Sequence, residues 1–379
     1  MSKQIVFVGG GHAHLMALLN CNELIDHGYN VTLVSTSSHH YYSGMGPGML
    51  SGIYRPNEIR FNVSKLVKDR GGDFIEGVVG KISPKDRVLI LESGDTVKYD
   101  VVSFNTGSGI PTGTIEPDNE STFTVKPIFN LLRARKKIIA LCEEKNPKVV
   151  VVGGGAAGIE VAGNTWRLLH AIRGEADVTL IAGKRLMGRF IDRVRYKALS
   201  SFSKRGIRVI EGSHAERVAN RTVDLSSGAK LDYDIAFLAT GVEPSHIFRA
   251  SGLSTGDDGG LLVNDHLQSV DHPDIFGGGD CISFQRRPLD KVGVYATRQN
   301  EVLFNNIKNA AAGKMLIPFD PGGSYLLICN LGDGTGLFWR DNIVFNGKIA
   351  FIVKDIIDRR FMRKFQVSGE LFEQLPYDD

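Results

Sequence analysis

The sequence predicts an α/β chain made of two Rossmann-like dinucleotide-binding domains, each carrying a small antiparallel β-meander, followed by a C-terminal α+β segment. Three observations predict it. Ile5–Val8 is an apolar run that breaks at once into Gly9, Gly10 and Gly11 and then into a helical run through Leu19. Val149–Val152 does the same and is followed by Gly153-x-Gly155-x-x-Gly158. The segments Gly72–Gly107 and Gly206–Gly241 are equal in length and repeat one pattern of strand, hairpin, strand and buried strand. A continuous apolar run suits a parallel strand buried on both faces. Where such a strand gives way to glycines and a helix, free backbone N–H groups and the positive end of the helix dipole meet, and a diphosphate binds there. Finding the unit twice sets the architecture, because internal repetition outweighs any single motif.

Taken in order, Gly28 can close the first helix and Val31–Val34 reads as the second strand. The first turn departs from the usual fingerprint, since His14 stands where a glycine or alanine normally lets helix and strand pack closely. The strand's last residue is usually an acid that holds a ribose hydroxyl; here Ser35 takes that place. The aromatic, glycine-rich stretch 35–49 is too long for a plain connection and reads as a loop covering a cofactor in preference to a floppy surface insert. Phe74–Val79, Arg87–Leu91 and Thr96–Tyr99 read as a meander, with turns at Ser83-Pro84-Lys85-Asp86 and Ser93-Gly94-Asp95. Val101–Phe104 returns as a buried strand, Ile110–Asn119 as a domain crossing, and Phe129–Glu144 as a helix.

The second half repeats this order. A helix through Leu169 leads to the strand Val178–Ile181, after which Lys184 and Arg185 stand where an enzyme using NADH usually has an acid. They could pair with a 2′-phosphate, or mark a second site that is vestigial. A hairpin at Ser226-Ser227-Gly228 and the strand Ile235–Ala239 close the repeat at Gly241, the counterpart of Gly107. Further on, Gly277-Gly278-Gly279-Asp280 puts an acid just beyond a short strand, where a carboxylate can accept hydrogen bonds from a polyol chain or simply stand solvated in a turn. The expected domains are 1–115 and 246–315 for the first nucleotide site, 116–245 for the second, and 316–379 for the C-terminal region.

Composition excludes several classes. The 379 residues include 44 glycines, enough chain for two cores joined by many tight turns. With 45 basic and 42 acidic side chains, net +3, nothing argues for nucleic acid. No apolar run reaches about 18 residues, and the N-terminus enters a strand directly, so a cytoplasmic protein without a spanning helix or signal peptide is expected. Cys21, Cys142, Cys281 and Cys329 lie far apart, without metal spacing, so no metal site is expected.

Five stretches carry a family resemblance: V-G-G-G-H-A-H at 8–14, Y-S-G-M-G-P-G at 42–48, T-V-K-P at 124–127, Y-A-T-R-Q at 295–299 and I-D-R-R-F-M-R-K-F at 357–365. The chain resembles the pyridine nucleotide–disulfide oxidoreductase superfamily, in its branch of type II NADH dehydrogenases and sulfide:quinone oxidoreductases. It looks closest to the flavoprotein domain fused to selenide, water dikinase in some bacteria, here without a kinase domain. The resemblance implies FAD at the first site, with NADH or NADPH at the second. Gly9, Gly11, His12 and Ala13 would line the FAD diphosphate, with Thr106 and Gly107 near it and Val79 meeting adenine. Asp280 would hold the ribityl chain and the Cys281 N–H would lie by the flavin. Gly153, Gly155 and Gly158 would hold the nicotinamide cofactor's diphosphate.

Two catalytic candidates follow from the same resemblance. Glu160 would sit near the nicotinamide and flavin, managing a proton or orienting the carboxamide, unless it only answers the helix dipole. Lys126 could reach the flavin edge, or be a surface lysine. Ala296, Arg298 and Gln299, on a helix Tyr295–Asn309, would line the acceptor's pocket. The last helix, near Lys354–Phe365, sets Ile357, Phe361 and Phe365 at i, i+4, i+8 among Lys354, Arg359, Arg360, Arg363 and Lys364. That pattern fits a helix lying on an anionic membrane surface on the inner face of the cell, and equally a helix packed on the domain.

The expected activity is transfer of electrons from NAD(P)H through FAD to a quinone-like acceptor, and a homodimer is compatible with it. The alternatives are a flavoenzyme handling sulfide or a selenium compound, for which the chain lacks the cysteine pair, and an FAD-bound interaction protein with little turnover.

Overall fold

The computed structural model describes residues 2–111, 113, 115 and 120–374, so part of the expected crossing at Ile110–Asn119 lies outside the described residues. Each apolar run pairs as expected. In the first domain Gln4–Val8 lies between Val101–Phe104 and Asn30–Ser35, with Ile275–Gly277 and Asp73–Glu76 at the edges, all parallel. In the second, Lys148–Val152 lies between Ile235–Leu238 and Asp177–Ile181, with Thr122–Thr124 and Arg208–Ile210 outside them. The central strands are buried on both faces, which is why they read as unbroken apolar runs.

Two details of the sequence reading are corrected. Phe74–Val79 is not one strand: Asp73–Glu76 extends the parallel sheet, and the meander starts afresh at Val79–Ser83. Gly77, free of a packed side chain, marks the break, and alternation alone could not place it. The first helix stops at Leu19 and a second runs Cys21–Asp26, because the Asn20 side chain turns back to donate to the Met16 carbonyl at 2.8 Å. The long loop is itself structured, with a short strand His39–Tyr41 and a helix Gly46–Ser51.

The C-terminal unit is a three-stranded antiparallel sheet (Leu327–Asn330, Gly336–Arg340, Ile343–Gly347) leading into the helix Lys348–Phe365. It docks backbone to backbone on the helix Ala156–Arg173: a Cβ on Gly163 would fall 2.2 Å from the Leu331 carbonyl oxygen. The fully buried Asn164 fixes this joint, accepting from the Ser51 hydroxyl at 2.8 Å and donating to the Asn330 carbonyl at 3.2 Å. Among the described residues no helix is long and apolar enough to cross a membrane, and no cluster of three or more His, Cys, Asp or Glu could hold a metal.

A candidate active site where the two glycine turns face the C-terminal helix

The first turn packs through Asn105. A Cβ on Gly9, where φ is +87°, would lie 2.3 Å from the Asn105 carbonyl oxygen. Cβ atoms on Gly11 and Gly279 would strike the Asn105 side chain at 2.8 and 2.6 Å. The turn Gly9–Ala13, the segment Asn105–Gly109 and the segment Gly278–Cys281 therefore converge on one asparagine. Sequence reading missed Asn105; its only signal is that it precedes Thr106-Gly107.

His14 explains its own oddity. In the second domain Gly158 approaches so closely that a Cβ would sit 1.8 Å from the Gly153 carbonyl oxygen. In the first domain the same join is made by a hydrogen bond, the His14 Nδ1 to the Gly9 carbonyl at 2.7 Å. A carbonyl can only accept, so Nδ1 carries the proton and Nε2 accepts from the Ser103 hydroxyl at 2.8 Å. Burial holds this imidazole neutral, its pKa lowered to about 4.

Beside this join, Asp280 accepts from Lys126 Nζ at 2.7 Å and from the Ser108 hydroxyl at 2.8 Å. Burial works against its charge, but Lys126 outweighs it and the carboxyl stays below its ordinary range. Lys126 is thus no lone surface lysine. Cβ atoms on Gly107, Gly109, Gly155 and Gly241 would meet nothing within 4 Å, so these backbones border open space. Thr106 is exposed beside it, Ser35 ends its strand half-buried, and Val79 opens the meander half-buried. Cys281 is buried with its thiol against the Phe104 carbonyl at 3.4 Å, and burial pushes its pKa up.

On the second turn Gly155 begins the helix Ala156–Arg173, and Glu160 lies in the helix's second turn. Its Oε1 accepts the Asn330 N–H at 2.7 Å. Burial raises Glu160 to a pKa of about 7; Lys354 and the Asn330 N–H pull it down and Asp358 pushes it up. Lys354 donates from Nζ to the Gly44 carbonyl at 2.7 Å and to Asp358 Oδ2 at 2.8 Å, and the Tyr42 hydroxyl donates to Asp358 Oδ1 at 2.9 Å. Cys329 is buried nearby, and burial followed by the Glu160 charge keeps it a thiol.

Not every expected residue faces this place. Gln299 does, its Oε1 accepting the Gly279 N–H at 2.6 Å, with Ala296 buried on the same helix, which runs Gly293–Ala311. Arg298 points away, donating to the carbonyls of Gly323 and Ser324 at 3.1 and 3.2 Å, because a guanidinium fork suits a loop rich in free carbonyls. Arg185 is paired with Asp192, while Lys184 stands exposed three residues past the strand Asp177–Ile181. The nearby Glu211 is held by Arg195 and by the Leu186 N–H at 2.7 Å. Lys354, expected on the charged face of the last helix, is 8% exposed. Phe361 and Phe365 also turn inward: Phe361 stacks on His12 at 5.6 Å and lies tilted against Tyr42 at 5.0 Å, and Phe365 meets Phe61.

A match to the pyridine nucleotide-disulphide oxidoreductase family spans residues 3–310. The chain belongs to that family. Among relatives of this pyridine nucleotide-disulphide oxidoreductase, ferroptosis suppressor protein 1 of Xenopus tropicalis is 28% identical over 356 residues, covering 89% of each chain. The internal alternative NAD(P)H-ubiquinone oxidoreductase A1 of Arabidopsis thaliana is 21% identical, over 82% of this chain and 68% of the other. The structure of NDH2 from Plasmodium falciparum in complex with NADH superposes with a TM-score of 0.81 at 16% identity, covering 100% of both chains.

Proposed function

We propose that this oxidoreductase takes electrons from NAD(P)H through FAD to a quinone-like acceptor at a lipid surface. The observation that carries the reading is a run of neighbours from one turn to the other: His12 of the first turn lies near Lys126 and Asp280 and against the Tyr42 ring, and Tyr42 lies near Glu160 of the second turn's helix. The donor set suits FAD. Gly9–Ala13 and Thr106–Gly107 would border the diphosphate, and Asp280, supported by Lys126 and Ser108, would accept from the ribityl hydroxyls. When bound, the flavin supplies the two-electron chemistry. The chain's own part is to orient it and to manage protons. Glu160, poised near neutrality, can hold or release a proton at its carboxyl close to the working pH.

At the second site Gly153, Gly155 and Gly158 would border the nucleotide's diphosphate, with the free cation of Lys184 beside its ribose. Both nearby acids are already paired, which favours a 2′-phosphate over a bare 2′-hydroxyl. The lipid contact is read from the last helix, where Ile349, Ile352, Ile356 and Ile357 are exposed among Lys348, Arg359, Arg360, Arg363 and Lys364. An isoleucine ridge flanked by cations is the pattern of an interfacial helix. The sulfide-oxidising alternative is disfavoured, since all four cysteines are buried and Cys281 and Cys329 are held as thiols.

The test is an anaerobic titration of the purified holoprotein with NADH and, separately, NADPH. Rapid bleaching of the flavin band, restored by a soluble quinone, is the expected result. Bound FAD that neither nucleotide bleaches would overturn the reading.

A further inference from the structure

Tyr42 and Gly44 meet Asp358 and Lys354 across 316 and 310 residues of chain, in a place almost closed to solvent. We propose that the Lys354–Asp358 pair, clamped by the Tyr42 hydroxyl and the Gly44 carbonyl, is a positioning element that presents a fixed ammonium–carboxylate dipole to Glu160 and so governs when that carboxyl carries its proton. The proposal rests on the reading above for Glu160's place at the flavin.

The geometry leaves the pair little freedom. Two of the three Lys354 N–H donors are spent, at 2.7 Å on Gly44 and 2.8 Å on Asp358, and the second Asp358 oxygen accepts from Tyr42 at 2.9 Å. Both side chains are over nine-tenths buried, where a charge acts with less screening than at the surface. A buried ion pair is a poor stabilising device, because an apolar pair of similar size commonly does as well. Its use here is in what it faces. Around Glu160 stand Lys354 and Asp358 from the C-terminal helix, Tyr42 from the loop, and Cys329 with the Asn330 N–H from the strand Leu327–Asn330. Tyr42 is held as a phenol by burial and by Asp358, and Cys329 as a thiol, so neither changes charge near neutrality. Lys354 and Asp358 form the ion pair beside it, and they act on Glu160 with opposite signs.

Opposite signs make the proposal testable without turnover. The infrared C=O band of the protonated Glu160 carboxyl, assigned by its loss in Glu160→Gln, is titrated in the full-length holoprotein. The expected wild-type midpoint is near 7. Lys354→Met should raise it by about one pH unit, a tenfold gain in proton affinity, and Asp358→Asn should lower it by a similar amount. Lys354→Arg, which keeps the cation, should stay near the wild-type value. Should Asp358→Asn fail to fold, the contrast between Lys354→Met and Lys354→Arg decides. Unmoved midpoints, or shifts of the same sign in Lys354→Met and Asp358→Asn, would overturn the proposal. If the midpoints shift as expected while Glu160→Gln leaves nucleotide bleaching untouched, the proposal stands and Glu160's place at the flavin falls.

Discussion

His14 shows how one residue can break a fingerprint and keep its purpose. The glycine of the second turn joins helix to strand by having no side chain; His14 joins them by hydrogen-bonding the carbonyl that a glycine would merely approach. That solution ties stability to pH. Burial lowers the folded-state pKa of His14 and His12 to about 4 and of His40 to about 3, against 6.5 unfolded. Below pH 6.5 the unfolded chain takes up protons that the folded chain refuses, so stability is full above 6.5 and drains as pH falls towards 4. Each such histidine contributes about 1.4 kcal/mol per pH unit across that window. The unfolding free energy from urea titration should therefore fall between pH 7 and pH 5. The fall should be about 2 kcal/mol smaller in His14→Gln, whose amide can still bridge Gly9 and Ser103 but cannot titrate. A second single-residue outcome concerns Lys184. With Asp192 and Glu211 both neutralised, Lys184→Glu should reverse a preference for NADPH, raising its KM on the order of tenfold while leaving NADH nearly unchanged, whereas Arg185→Ala should do less. Equal effects on both nucleotides in steady-state assays would remove Lys184 from the nucleotide site.

At the scale of the element, the C-terminal helix separates what could be read from what could not. Its apolar spacing and its cations are plain in the sequence, but the i, i+4, i+8 series picks Ile357, Phe361 and Phe365, two of which face inward. The helix is apolar on two sides, one against His12, Tyr42 and Phe61, the other exposed as Ile349, Ile352 and Ile356. A single periodicity cannot say which stripe is core when both are apolar. Lys354 was hidden for the same reason, since a lysine reads as surface until a carboxylate one turn on is found buried with it. The glycine turns, by contrast, were legible because only glycine fits where a Cβ would collide with backbone, as at Gly9 and Gly153. The exposed stripe makes its own prediction. Ile352→Glu combined with Ile356→Glu should weaken sedimentation with anionic vesicles at least tenfold, and raising the salt should weaken the parent protein too. Bleaching by nucleotide should be unaffected. Undiminished vesicle binding would move the lipid contact elsewhere.

At the scale of the whole molecule, the last described residues tie the C-terminal helix back onto the first glycine-turn unit. Beyond the helix, residues 366–373 run back over the segment 39–65, which carries the loop bearing Tyr42 and Gly44. Gln366 donates to the Asn57 and Arg60 carbonyls at 2.6 and 3.0 Å, and Lys65 donates to the Ser368 carbonyl at 2.8 Å. Glu373 takes His39, Arg60 and Asn62 together, at 2.8, 2.7 and 2.6 Å. Arg60 is nearly closed to solvent, so losing Glu373 would leave a buried cation without its partner, costing roughly 3 kcal/mol. Nothing local in the sequence announces this strap, because each contact joins residues some 300 positions apart and charged tails usually read as solvated. Its consequence reaches the site: a loop no longer held at His39, Arg60 and Asn62 would let Tyr42 and Gly44 drift from the Lys354–Asp358 pair. Removing the chain from Gln366 onward should lower the apparent Tm by roughly 5 °C and speed the release of FAD, read as the rise in free-flavin fluorescence on dilution. Glu373→Gln should give a smaller change of the same sign, because the amide still accepts but no longer offsets the Arg60 charge. Flavin retention equal to the parent's in both variants would mean that the strap closes the surface without holding the site.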